Sequence, residues 1–93
     1  MDKIKEIAEV LSVTGDPQLI ENFLKSILTD YEAGEISSRW EIVKLLGDGM
    51  SQRKISEKLG TSLCKITRGS KELKKKNSSF RTMMEKYRSL QKN

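Results

Sequence analysis

Residues 52–71 read QRKISEKLGTSLCKITRGSK. Two short helices can cross at a tight angle when the turn between them contains a residue that tolerates positive φ, and Gly60 is such a residue. Thr61 or Ser62 is expected to cap the second helix. The side chains expected to be buried between the two helices are Ile55, Leu59, Leu63 and Ile66. The stretch therefore predicts a helix-turn-helix.

The outward-facing residues of this hairpin have the chemistry of a DNA-binding surface. Arginine and glutamine side chains read base edges, and lysine and threonine side chains hold phosphates. The residues left for the outer faces are Gln52, Arg53, Cys64, Lys65, Thr67 and Arg68. This pattern favours DNA binding, and the alternative is a helical hairpin used for protein contacts.

Charge is divided unevenly along the chain. The 93 residues carry 18 Lys and Arg against 13 Asp and Glu, which gives a net charge of +5. Residues 1–48 have a net charge of −5, whereas residues 49–93 have a net charge of +10. Positive charge concentrated around a helix-turn-helix is expected of a nucleic-acid-binding region. The alternative is that lysine-rich surface helices only keep the protein soluble.

The rest of the chain is also predicted to be helical. Apolar residues at spacings of three and four predict a helix over about residues 2–13, and Asp16-Pro17 begins a second helix as N-cap and first helical residue. The capping-box pattern of Thr29-Asp30-Tyr31-Glu32 opens a third helix that runs toward Leu46. Short helices are expected at about 51–58 and 62–75, and a last helix at about 79–91. The predicted class is all-α.

The third helix carries an apolar set that we expect to face inward, and the last helix carries a thin apolar set. In the third helix the set is Ile36, Trp40, Ile42, Val43, Leu45 and Leu46. In the last helix it is Phe80, Met83, Met84, Tyr87 and Leu90. Only 35% of the 93 residues are hydrophobic, and such a small domain barely buries enough surface alone. A homodimer with a shared core is therefore expected.

Several classes of protein are disfavoured by composition. The single cysteine, Cys64, rules out an intrachain disulfide framework and suits a reducing compartment. The chain has no histidine, which removes the commonest general base and the commonest metal ligand. No apolar run approaches the length of a membrane span, and the first seven residues do not resemble a signal peptide. We expect a cytoplasmic protein that is not an enzyme.

Two parts of the chain resemble the tryptophan repressor family of bacteria. One part is Gly49-Met50-Ser51-Gln52-Arg53-Lys54 with Leu59-Gly60 and Ile66-Thr67-Arg68-Gly69-Ser70, and the other is Leu28-Thr29 with Arg39 ten residues after the threonine. The resemblance implies an all-α, six-helix intertwined homodimer with a helix-turn-helix DNA-reading head. Within one domain spanning 1–93, it implies a dimerisation and ligand core at 1–48, a helix-turn-helix at 49–75 and a C-terminal helix at 78–93.

The resemblance further implies that L-tryptophan is bound as corepressor, without other cofactor or metal. Arg39 and Arg68 would bracket the indole ring, and Thr29 would lie beside the polar end of the ligand. The complete set implied for the ligand is Ser26, Leu28, Thr29, Arg39, Ile42, Val43, Arg68, Gly69 and Glu72. Without the family motif, the two arginines would be interpreted as ordinary surface residues.

On the DNA side, the resemblance makes Arg53 the main reader of base edges. The other residues implied to lie near bases and phosphates are Gln52, Leu63, Cys64, Lys65, Thr67 and Lys74. The implied function is tryptophan-dependent repression at palindromic operator DNA, acting on genes for tryptophan biosynthesis or uptake. Tryptophan would hold the two reading heads at the spacing of successive major grooves, about 34 Å.

The sequence departs from the family pattern in two places near the implied ligand site. The stretch between Val43 and Met50 is one residue shorter, and a loss within the Gly47-Asp48-Gly49 turn would preserve the orientation of the head. Glu72 stands where the family has a small hydroxyl residue, and its carboxylate could attract an ammonium group or repel a carboxylate. The alternative function is a related DNA-binding protein with another corepressor or with none.

Overall fold

The computed structural model describes residues 2–91, and within them it contains six helices and no strand. The helices are α1 (Ile4–Val13), α2 (Pro17–Ile27), α3 (Asp30–Gly47), α4 (Gln52–Leu59), α5 (Leu63–Lys74) and α6 (Ser79–Gln91). The all-α class is confirmed, and every helix bound that was predicted lies within two residues of the observed one. No helix in this part of the chain is long and apolar enough to cross a membrane.

The chain divides into two compact units within α3, between Glu35 and Ile36. The first unit contains α1, α2 and the beginning of α3. Asp16 caps α2 by accepting a 3.0 Å hydrogen bond from the Gln18 amide, and Pro17 is the first helical residue. The division at residue 48 that the charge pattern and the family suggested is a division of roles, and it stays a prediction.

The capping box at the start of α3 is confirmed. The Thr29 amide donates to Glu32 Oε1 at 2.9 Å, and the Glu32 amide donates to Thr29 Oγ1 at 3.1 Å. These bonds hold the pKa of the Glu32 carboxyl below its ordinary value, because the Thr29 backbone amide and then its hydroxyl stabilise the charged form. From this start α3 continues through Gly34 without a break.

The apolar stripes of α1 and α2 remain uncovered in the single chain. Neither helix contains a buried residue. The exposed fraction is 70% at Ile4, 83% at Val13 and 55% at Leu19. A groove of about 340 Å³ lies between the two helices, lined by residues that include Ile7, Val10, Leu11, Ile20 and Phe23.

The core of the second unit lies where α3 meets the helix-turn-helix. Ile55 and Ile66 are fully buried, as predicted, and they pack with Ile42 and Leu45 of α3. Leu46, Met50 and Leu59 are partly buried against this cluster. Two predictions were wrong: Leu63 at the start of α5 is 55% exposed and Ile36 of α3 is 49% exposed. Both fall at the ends of the apolar stripes of their helices.

Helix α6 packs on α3 through aromatic side chains. Trp40 stacks on Phe80 and meets Tyr87 edge-on, with ring centroids 5.9 Å apart in both pairs. Met84 is buried at 2% exposure, whereas Met83 and Leu90 of the same apolar set are 52% and 71% exposed. The thin apolar set of α6 therefore covers one side of Trp40, and its flanking residues project away from that contact.

Candidate nucleic-acid interface and ligand site

The turn of the helix-turn-helix is fixed by backbone conformation and by side-chain caps. Gly60 has φ of +64°, the left-handed conformation for which a glycine was predicted. Ser62 caps α5 by accepting from the Lys65 amide, so the second of the two predicted capping residues is the one used. The Ser56 hydroxyl donates a 2.8 Å hydrogen bond to the Thr61 carbonyl and so ties α4 to the turn.

The candidate DNA-binding residues lie on the outer face of α4 and α5. Arg53, Leu63, Cys64, Lys65, Thr67 and Lys74 are exposed, and Gln52 is half-buried. The Thr67 hydroxyl donates to Gln52 Oε1 at 3.2 Å, which links the two helices on this face. No sequence pattern indicates this bond, because the two residues are fifteen positions apart and belong to different helices.

Positive charge dominates this face. The cationic residues of α4 and α5 are Arg53, Lys54, Lys58, Lys65, Arg68, Lys71 and Lys74, and all are exposed. The only acidic residues in the same two helices are Glu57 and Glu72. A surface with this excess of cations attracts the phosphate backbone of DNA, and the attraction is sensitive to salt.

Gly69 marks the close approach of α5 to α3. A Cβ atom placed on Gly69 would lie 3.3 Å from Ile42 Cγ2, 3.3 Å from Val43 Cγ2 and 3.5 Å from Leu46 Cδ1. Any larger residue at position 69 would therefore press on a buried side of α3. The structure brings together three residues that the family resemblance implied for the ligand, and helix packing alone already requires the glycine.

Arg39 and Arg68 are near this helix contact along the chain. Arg39 lies one turn before Ile42 and Val43 on α3, and residues at spacings of three and four share a helix face. Arg68 directly precedes Gly69 on α5. Both arginines are exposed, and within residues 2–91 neither has a hydrogen-bond or ion-pair partner. Their guanidinium groups can therefore bind a planar or anionic ligand without first breaking an ion pair.

Glu72 lies one turn beyond Gly69 and is partly neutralised. Its Oε1 atom is 2.9 Å from Lys75 Nζ, and its side chain is 40% exposed. Glu72 lines an open cleft of about 530 Å³ together with Trp40, Lys75 and Phe80. The carboxylate therefore lies near the α3–α5 contact with a lysine beside it, a pairing that the i,i+3 spacing of opposite charges on one helix could have indicated.

The three remaining ligand candidates belong to the first unit, at the junction of α2 and α3. The Ser26 hydroxyl donates to the Asn22 carbonyl at 2.9 Å, and Leu28 is the C-cap of α2. Thr29 uses its hydroxyl in the capping box. Their role toward a ligand stays a prediction.

Comparison with known proteins adds an independent line of information. Residues 2–88 match the family model described as Trp repressor protein. The chain is 37% identical over 76 residues to a Trp operon repressor homolog of Vibrio parahaemolyticus, an alignment that covers 81% of this chain and 74% of the relative. It is 34% identical over 80 residues to a Trp operon repressor homolog of Chlamydia caviae, with 85% and 79% covered.

A third relative is the Trp operon repressor homolog of Photobacterium profundum, 39% identical over 71 residues that cover 75% of this chain and 69% of the relative. No solved structure matches the chain significantly. The family match takes in all but the last three residues that the structure describes, including both arginines and the whole helix-turn-helix. The chain therefore belongs to the Trp repressor family, a family of transcriptional regulators.

Proposed function

We propose that this chain is an L-tryptophan-dependent transcriptional repressor that binds palindromic operator DNA as a homodimer. It would act in the bacterial cytoplasm on genes for tryptophan biosynthesis or uptake, and it would not be an enzyme. One observation carries the proposal. Gly69 of α5 packs directly on Ile42 and Val43, the exposed Arg39 and Arg68 are near them along the chain, and α5 also carries the exposed Lys65, Thr67 and Lys74 of the candidate DNA-binding face.

The ligand step uses the chemistry of the two arginines. A guanidinium plane stacks on an indole face, a contact of about 0.5–2 kcal/mol. Arg39 and Arg68 on opposite faces of the ring would select a flat aromatic ligand, and one of them would also meet the ligand carboxylate. Because Arg68 belongs to α5, a ligand held by both arginines fixes the reading helix relative to α3.

The DNA step uses the outer face of α4 and α5. Arg53 is exposed near the start of α4 and would read base edges in the major groove, where arginine pairs with guanine. Lys65, Thr67 and Lys74 would hold phosphates and set the orientation of the head. Tryptophan would select the spacing of the two heads that fits successive grooves, with a coupling of about 1–3 kcal/mol.

The homodimer is supported by the uncovered apolar stripes of α1 and α2. Ile4, Val13 and Leu19 are each more than half exposed, and the groove between the two helices is lined mainly by apolar side chains. A contiguous apolar surface of this kind marks an interaction site. A second copy of the chain presents the same stripes, as a self-complementary two-fold interface requires.

Calorimetry with reciprocal variants tests this function. L-tryptophan is titrated into the parent, with phenylalanine and indole as control ligands, because Trp40 would confuse a fluorescence signal. We expect saturable binding at one site per chain, and weak or no binding of phenylalanine. R68A and R39A should each weaken tryptophan binding, whereas R53A should leave it unchanged and lose DNA binding. Unaltered tryptophan binding by R68A would refute the pocket.

The second candidate function is a DNA-binding repressor of the same fold with another corepressor or with none. The specific observation that favours it is the Glu72–Lys75 ion pair beside the α3–α5 contact. E72S tests this alternative, because serine removes the carboxylate and keeps a small hydroxyl. If the parent ignores tryptophan and E72S binds it, the ligand site has been altered in this chain and the second function holds.

A further inference from the structure

A side chain of α6 reaches the turn that connects α3 to the reading head. Arg88 Nη2 lies 2.9 Å from Asp48 Oδ1, although the two residues are 40 positions apart. The same guanidinium covers Gly47, where an added Cβ atom would lie 2.6 Å from Nη2 and 3.3 Å from Nη1. Arg88 therefore occupies the space that any residue larger than glycine would need at position 47.

Helix α6 presents this guanidinium from a fixed position. Trp40 of α3 stacks on Phe80 at one end of α6 and meets Tyr87 near the other end, with centroids 5.9 Å apart in both pairs. Met84, between these two aromatic residues, is buried at 2% exposure. Arg88 immediately follows Tyr87, so its backbone is held against α3 by two aromatic contacts and one buried methionine.

The segment under Arg88 sets the direction in which the chain enters α4. The Met50 amide donates a 3.1 Å hydrogen bond to the Leu45 carbonyl, and Gly49 has φ of +91°. Only four residues, 48–51, separate α3 from α4. Hinges are a few residues at the ends of helices that absorb changes in φ and ψ, and this turn has the length and the glycines of such a hinge.

We propose that Arg88 is a positioning residue that clamps the Gly47–Asp48 turn and so fixes the angle between α3 and the helix-turn-helix. The clamp makes α6 a structural support of the reading head and not only a cover for Trp40. Its consequence for repression rests on the proposed function, because the head angle matters only where two heads must fit one operator.

The exposure of the pair allows the clamp to be removed without unfolding the protein. The Arg88 and Asp48 side chains are 39% and 54% exposed, and ion pairs at such sites contribute little to the stability of a fold. Arg88→Met and Asp48→Asn each remove the pair. Gly47→Ala removes it in another way, because the new methyl group displaces the guanidinium. Lys86→Met, on the exposed side of α6, is the matched control.

The test is a distance distribution measured inside one chain. The sequence has one tryptophan and one cysteine, so Trp40 on α3 is the energy-transfer donor and an acceptor is attached to the exposed Cys64 on α5. Labelled chains are mixed with an excess of unlabelled Trp40→Phe chains, which carry no tryptophan donor, so that any transfer between subunits of a dimer is suppressed. Donor-only samples of each variant correct for changes in the lifetime of Trp40.

We expect a narrow distribution for the parent and for K86M, and a broader or shifted one for R88M, D48N and G47A. The double variant G47A/R88M should be no broader than R88M alone, because the methyl group has no guanidinium left to displace. Operator affinity in the presence of tryptophan should fall by about two- to fivefold for R88M. The absence of further broadening in G47A/R88M distinguishes a clamp from a general loosening of the fold.

Two results would overturn the clamp: identical distributions for the parent and R88M, or a parent distribution as broad as that of R88M. Both results are independent of the proposed function, since the distances are measured without ligand or DNA. If the parent shows the narrow distribution but tryptophan does not alter its DNA binding, the clamp stands and the proposed function fails.

Discussion

Replacing Gly69 by alanine tests the close approach of α5 to α3. An alanine in place of a glycine inside a helix normally stabilises by about 1 kcal/mol, since glycine loses more backbone entropy on folding. At position 69, the new methyl group would lie 3.3 Å from Ile42 Cγ2 and 3.3 Å from Val43 Cγ2. Both neighbours are β-branched and at most 2% exposed, so their rotamers cannot shift to make room.

The expected change in the free energy of unfolding is the difference between these two opposed effects. Overpacking a buried contact costs about 1–3 kcal/mol, which exceeds the helix-propensity gain of about 1 kcal/mol over most of its range. We therefore expect G69A to lower the free energy of unfolding by about 1 kcal/mol. Tryptophan affinity should fall as well, since the arginines on the two helices would be moved apart.

The assay is urea denaturation followed by circular dichroism, at one fixed chain concentration because a dimer's stability depends on it. Gly34→Ala is the matched control, since position 34 is inside α3 with no atom within 4 Å of an added Cβ. The control should gain about 0.5–1 kcal/mol. If G69A gains as much as G34A, the close packing of α5 on α3 described here is wrong.

Three further outcomes are expected from other contacts. S56A should lose about 1 kcal/mol in urea denaturation, because the Thr61 carbonyl loses its 2.8 Å hydrogen bond; an unchanged midpoint would show that this bond does not hold the turn. I66A should lose about 2–5 kcal/mol, because Ile66 is fully buried; a loss below that of S56A would contradict the assigned core. The lowered pKa of the Glu32 carboxyl adds stability that is present above its unfolded pKa and lost as pH falls below about 4.3. E32Q should flatten that acid loss in thermal melts, and a slope equal to the parent's would contradict it.

Much of the fold followed from short-range signals in the sequence. Gly60 predicted the left-handed turn, Asp16 and Thr29 predicted helix starts, and Ile55 and Ile66 predicted the packing between α4 and α5. Each of these signals acts over fewer than about twelve residues and reflects local backbone chemistry, so it can be recognised in a single sequence. Leu63 and Ile36 were wrongly predicted to be buried, because helical spacing identifies an apolar stripe but does not indicate which residues at its ends stay exposed.

The candidate site was only partly accessible to the same reasoning. The residues around Gly69 were named from a family resemblance, and the structure adds that the glycine is needed for helix packing in any case. The Gln52–Thr67 bond and the Asp48–Arg88 pair had no sequence signal, because they join residues whose separation carries no helical periodicity. The ligand roles of Ser26, Leu28 and Thr29 stay predictions, because they rest on the family resemblance alone.

On the proposed function, tryptophan converts this chain into a tighter binder of specific DNA. The direct test begins with a palindromic duplex selected from a random pool by the parent protein in the presence of L-tryptophan. Its affinity is then measured with and without the amino acid at fixed salt, beside a scrambled duplex of the same composition. We predict that tryptophan tightens binding to the palindrome by about 5–150-fold and leaves the scrambled duplex unaffected. Equal affinity for the palindrome with and without tryptophan would contradict the account.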